Sequence, residues 1–234
     1  MRNKIIFTME DMIELIEYYG FLPFFENEIS GFSVAEHCDP SIYFTDKEGP
    51  WEWKGPIISE LGLAYGKFFH RKAGFITKKW FVDFANYRRN GYDFEAACSD
   101  GLMSEQEQYL YSLLETRHSA LSKELKAIGG YNKPKEKGKD AWQPRKGFDT
   151  TLTKLQMKGY ILTSNFEYEI DKEGKPYGWG IARYALAETY LGKSFSKHIY
   201  DRKVEESYKR MVKHLKKVLP EASDAQIEHL LMNK

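Results

Sequence analysis

The chain has 234 residues, 42% of them hydrophobic and 15% aromatic, enough for one large or two small packed units with ring-rich cores. Its formal net charge of +1 favours no partner by itself, but the charge is uneven: residues 1–50 hold three basic against ten acidic side chains, and residues 131–158 hold eight against three. That asymmetry excludes a uniformly acidic or basic binder and suggests one face for a polyanion and another for something else.

Thr8 is placed to cap an amphipathic helix to Tyr19, with Asp11 at the capping-box position and Met12, Ile13, Leu15 and Ile16 forming the apolar stripe. An aromatic, acidic loop follows Gly20, and Ser33 can cap a short turn from Val34 to His37. Residues 51–61 read as helical but carry Gly55-Pro56, so a break or kink is expected there. Leu63 to Phe69 and Gly74 to Thr77 form a hairpin over His70-Arg71-Lys72, and a helix runs from Thr77 to Arg89 on Trp80, Phe81 and Phe84.

Asp93 to Cys98 is a short helical linker, and Ser104 to Arg117 a helix carrying Leu110 and Leu114. Ser119 can cap a helix through Leu121, Leu125 and Ile128, ended by Gly129-Gly130. After an irregular basic stretch, Asp149 and Thr150 can cap a helix with Leu152 and Leu155 on one side. Tyr160 to Ile170 and Tyr177 to Tyr184 then make a hairpin over a charged turn. Val204 to Leu219 is amphipathic with a Lys-rich outer face, and Ser223 with Gln226 can cap a last helix.

Helix, helix, helix, hairpin therefore occurs twice. This is the order of a winged helix, in which the helix before the hairpin enters the DNA major groove. The expected fold is α+β, mostly helical: a degenerate module over 1–91, a second, nucleic-acid-binding module over 92–192, and a helical C-terminal arm over 193–234.

In the second module, stepping about 100° per residue puts Thr150, Lys154, Met157 and Lys158 opposite Leu155 and Gly159. Two lysines and a threonine suit phosphate contacts, and no Arg, Asn or Gln clearly points outward for bidentate base reading. The preceding loop sets Lys133, Lys135, Lys137, Lys139, Arg145 and Lys146 around Trp142, a composition suited to single-stranded or distorted nucleic acid. Lys172 and Lys175 add charge at the hairpin turn. The competing readings are a solvated polar face and a solubilising loop.

Glu26, Glu28, Glu36, His37 and Asp39 lie near Trp51, Glu52 and Trp53 in sequence. Carboxylates beside rings can act as acid or base or flank a flipped base, so Glu28, Trp51 and Trp53 are pocket candidates, and Glu28 and His37 the candidate catalytic groups. The commoner arrangement is acids on a wet surface and tryptophans in a core. Adjacent His37, Cys38 and Asp39 cannot all face one metal without a special turn, so neither metal nor other cofactor is expected. No Walker loop, strand-preceded GxGxxG, GxSxG or HExxH is present. Two widely separated cysteines, no signal-peptide pattern and no run near 20 apolar residues make the cytoplasm the expected location.

Two stretches, AYGKFFHRKAGFITKKWFVDFANYRR at 64–89 and LTKLQMKGYI at 152–161, resemble the AlkZ/YcaQ winged-helix family of bacterial DNA glycosylases, and its short AlkZ-related branch above all. The resemblance implies a DNA-related, repair or regulatory role. It covers most of residues 5–219 in element order. The glycosylases hold their hydrolytic water with Gln-x-Gln or Gln-x-Asp just after the first helix. The matching position here is Pro23-Phe24-Phe25, which cannot hold or activate water, so the glycosylase chemistry is not carried over. DNA binding of low sequence specificity is the leading expectation. An enzyme acting on a nucleobase and a winged-helix scaffold for a protein partner are the rivals.

Overall fold

The computed structural model describes residues 4–45, 48–132, 143–174 and 176–232. Helix α1 (Met9–Tyr19) starts at Thr8, whose hydroxyl accepts from the Asp11 N–H while the Asp11 carboxylate accepts from the Thr8 N–H. It ends at Gly20, whose φ of 72° and close approach to the Trp80 ring leave no room for a Cβ. The chain then forms β1 (Phe21–Pro23) and α2 (Val34–His37), a 3₁₀ turn at Pro40–Ile42, α3 (Pro50–Leu61), and the hairpin β2 (Ala64–Phe69) and β3 (Lys72–Ile76). His70 and Arg71 both take positive φ, 48° and 65°, which suits a two-residue hairpin turn.

Helices α4 (Lys78–Arg88), α5 (Phe94–Ser99) and α6 (Glu105–Arg117) lead to β4 (Ser119–Leu121), α7 (Ser122–Ile128) and α8 (Phe148–Met157). The long hairpin β5 (Ile161–Ile170) and β6 (Pro176–Leu186) follows, then α9 (Ala187–Leu191), α10 (Lys193–His198), α11 (Val204–Val218) and α12 (Asp224–Leu231). The fold is α+β, with two three-stranded antiparallel sheets ordered β1-β3-β2 and β4-β6-β5.

Several sequence expectations change. Phe21–Pro23 is a strand rather than loop; it sits at a sheet edge, where the missing N–H of Pro23 is tolerated. Ser119 is no helix cap but opens edge strand β4, and Leu121 takes the N-cap position of α7. Both strands have three residues, too few for an alternating pattern to register. Helix α3 runs unbroken through Pro56, which stands on an exposed position while Trp53, Ile57 and Ile58 pack inward. Burial of that face outweighs the one lost backbone bond. Gly147 rather than Asp149 or Thr150 is the N-cap residue of α8.

The larger apolar core joins α1, β1–β3, α3 and α4 to residues of α10, α11 and α12, so the C-terminal helices fold back onto the first half of the chain. A smaller core lies among α5, α6, α7, α8 and β5. The two halves meet where α3 packs on β5 and where β2 packs on α8. Strand β2 also packs on β5, where the Tyr65 and Phe166 rings stand edge to face at 5.9 Å; where α3 meets β5, the Lys54 ammonium lies between Trp51 and Phe166, 4.4 and 4.5 Å from their rings.

Candidate nucleic-acid interface

The spacing of α8 leaves Leu152 and Leu155 inside and Thr150 and Lys154 outside, as read from the sequence. What the sequence did not supply is the second wall. Strand β2 lies along one flank of α8, where the Lys67 N–H donates to Gln156 Oε1 at 2.9 Å and the Lys67 ammonium stands 3.5 Å from Thr153 Oγ1. The buried Arg88 guanidinium ties the elements, donating to the Met157 carbonyl at 3.2 Å and the Phe68 carbonyl at 3.0 Å. Seven of the ten α8 residues are consequently buried.

Between α8, the β2–β3 turn and α6 lies a cavity of about 590 Å³, lined by Lys67, Arg71, Glu107, Asp149, Thr150, Thr153, Lys154, Met157 and Lys158. All four residues read as the outer face of α8 border one concave surface, but Met157 is buried at its floor rather than outward, because β2 and Arg88 cover that flank. Their states differ. Lys158 is half-buried and bound to Glu107 Oε1 at 2.6 Å, so its charge is neutralised inside the protein. Asp149 is answered by Lys126 at 3.3 Å. Lys67, Arg71 and Lys154 have no acidic partner among the described residues and are exposed. Lys67 and Arg71 were invisible to a reading of α8 alone, because they come from the other half of the chain; the His70-Arg71-Lys72 turn was their only sequence signal.

The remaining basic candidates scatter. The Arg145 guanidinium stacks 4.1 Å from the Tyr109 ring, and the Arg145 backbone N–H donates to the Gly130 carbonyl at 2.8 Å. Lys146 is exposed, and so is Lys172, between the acids Asp171 and Glu173. Lys133, Lys135, Lys137, Lys139, Trp142 and Lys175 lie outside the described residues.

A family model described as AlkZ related matches residues 6–232. The chain belongs to the AlkZ-related family. Comparisons with curated proteins and with solved structures found no match.

In this AlkZ-related chain, Pro23 and Phe25 line a small cavity of about 140 Å³ beside Glu28, His70 and His229. The Glu28 carboxylate meets His229 Nδ1 at 2.9 Å, the His70 and His229 rings stack at 3.9 Å, and His70 Nε2 donates to the His229 carbonyl at 2.8 Å. Neither tryptophan lines this cavity. Trp53 is buried in the core, and Trp51 borders a separate space of about 260 Å³ with Glu52, Lys54 and Tyr168. The residues read as one acidic aromatic pocket are thus distributed over two cavities and a core. His37 is buried, its ring nitrogens held by the Lys4 and Gly31 carbonyls at 2.7 and 3.0 Å, an arrangement that fixes the loop rather than facing a substrate. Among the described residues no group of three His, Cys, Asp or Glu is placed to hold a metal. Burial pushes the Cys38 thiol up to about 11, so it is no ready nucleophile at neutral pH. No described helix is long and apolar enough to cross a membrane.

Proposed function

We propose that this AlkZ-related protein binds DNA with low sequence specificity through two winged-helix modules, in a cytoplasmic, repair-related or regulatory setting. The strand orders β1-β3-β2 and β4-β6-β5, each with helices before and between the strands, support the two modules. The observation that carries the reading is the concave surface where Lys67, Arg71 and Lys154 converge without acidic partners among the described residues. Three cations set along a groove of that size fit phosphate oxygens of a nucleic-acid backbone.

The same geometry argues for backbone contact over base reading. With β2 covering a flank, α8 offers Thr150 and Lys154 as its outer strip, and its amide side chain, Gln156, is already bonded to Lys67. A helix walled in this way does not descend into a major groove as a free recognition helix does. Arg71→Ala/Lys154→Ala tests the reading on duplex, single-stranded and abasic oligonucleotides across a salt series. It is expected to weaken binding to all sequences about equally and to flatten the log–log salt slope by about 0.9 for each phosphate that the variant no longer neutralises, about 1.8 in all. Unchanged affinity and slope in the double variant would remove this groove as the binding surface.

A further inference from the structure

Helix α11 carries an exposed basic face that the groove at α8 does not use. Taking Lys209 as the origin and about 100° per residue, Lys213, Lys216, Lys217 and Arg210 fall with it inside an arc of about 120°, over a rise of about 12 Å. All five are exposed. Lys79, in the first turn of α4, extends the same face. Its ammonium lies 5.4 Å from the Trp80 ring, and the Arg210 guanidinium lies 5.8 Å from the same ring. Burial lowers the pKa of His214, stacked on Trp80 at 4.2 Å, and the nearby charges of Lys79 and Lys217 push it the same way.

The acids around this face leave most of it positive. Asp83 is buried and takes Arg210 at 3.1 Å, and Asp224 takes Lys216 at 2.7 Å. Glu205 and Glu206 stand in the first turn of α11, about one turn before Lys209 and on the same side, so they offset charge at that end of the stripe and leave Lys213 and Lys217, with Lys79, as its positive part. Lys79, Lys209, Lys213 and Lys217 have no acidic partner among the described residues.

The apolar side of α11 is already occupied. Met211 and Leu215 are in the core, and Tyr208 packs on Tyr87 with ring centroids 5.1 Å apart. No large apolar residue of α11 is exposed. A helix that enters a lipid interface needs such residues outward, so this face suits a stiff polyanion rather than a membrane. Duplex DNA, with one charge per about 1.7 Å of axis, presents several phosphates over the length of the stripe.

Helix α4 separates this face from the groove. Its Phe81, Ala85 and Arg88 turn toward Phe68, Gly159 and Met157, while Trp80, Asp83 and Tyr87 turn toward α11, roughly 130° away around the helix. One straight duplex cannot lie along both surfaces. We infer that Lys79, Lys209, Lys213 and Lys217 form a second nucleic-acid backbone site, which holds a separate duplex segment from the one in the α8 groove. This rests on the DNA-binding reading above.

The test is Lys209→Gln/Lys213→Gln/Lys217→Gln in the full chain, with circular dichroism to check folding. Affinity for a short duplex is followed across a salt series, and stoichiometry by sedimentation. The expected result is a fall from two bound duplexes per chain to one: the α11 phase weakens by about tenfold or more at low salt and its slope becomes shallower by about 2.7, while the groove phase keeps its affinity and slope. Wild-type affinity, slope and stoichiometry in the triple variant would overturn the second site. So would binding of the wild type to anionic phospholipid vesicles but not to duplex. If Arg71→Ala/Lys154→Ala alone abolishes binding, the second site fails and the groove stands; if only the triple variant does, the groove fails and the α11 site stands.

Discussion

Replacing Lys158 with Met separates a structural cation from a phosphate-binding one, because this lysine faces the groove yet is spent on Glu107. The pair is 2.6 Å long, with 5% of the Glu107 side chain and 23% of the Lys158 side chain exposed. Removing one partner of a buried ion pair costs about 3–5 kcal/mol. Here the lysine is partly wet, and the Ser104 N–H and hydroxyl still donate to the same carboxylate at 3.0 and 2.8 Å, so about 2–3 kcal/mol is expected at pH 7. Burial alone would raise the Glu107 pKa, but the bonds from Lys158 and Ser104 outweigh it and hold the carboxyl below its ordinary value. A carboxyl with a depressed folded pKa contributes stability above its unfolded pKa of about 4.5 and loses that contribution as pH falls through the folded value. The gap between wild type and Lys158→Met is therefore widest near neutrality and narrows on the acid side of that window. Urea unfolding at pH 7 and at about pH 4 reads it, with Lys158→Met/Glu107→Gln recovering part of the loss. Duplex binding by the folded variant should keep its salt slope, whereas Lys154→Ala should lose about 0.9. A variant as stable as wild type at pH 7, or a gap unchanged in acid, would refute the reasoning.

Two further expectations follow from buried groups. Burial lowers the Lys54 pKa to about 8, so the wild type should gain stability as pH rises from about 8 to 10.5, the range in which the unfolded chain holds a proton that the folded one has released. Lys54→Met should flatten that rise in denaturation experiments and change stability at pH 7 by no more than about 1 kcal/mol; a loss above about 2 kcal/mol would mean that the Trp51 carbonyl and the two rings need the ammonium. A single-turnover assay on duplex carrying alkylated purines should release no base, since Pro23 and Phe25 line the cavity beside Glu28 and neither can hold a water for attack; base release that is lost in Glu28→Gln would overturn this.

The local elements were written in the sequence because their causes are local. Thr8, Ser33, Asp93, Ser104 and Ser223 stand at the starts of their helices and accept from N–H groups there, and the spacing of Leu152 and Leu155 fixes which side of α8 is inside. The resemblance at 64–89 and 152–161 likewise pointed to the AlkZ-related family, which the match over residues 6–232 establishes. Tertiary structure decided what the faces do. Strands β1 and β4 exist because β3 and β6 offer them partners, and three residues cannot signal that alone. Packing carries α3 through Pro56. The groove beside α8 depends on Lys67 and Arg71, whose distance in sequence from Lys154 conceals that β2 and α8 meet. The sequence counts Lys158 and Lys154 alike as outward lysines; only the position of Glu107 on α6 makes one of them structural and leaves the other without an acidic partner among the described residues. Charge and periodicity are properties of the chain, but the compensation of a charge depends on which distant residue folds against it.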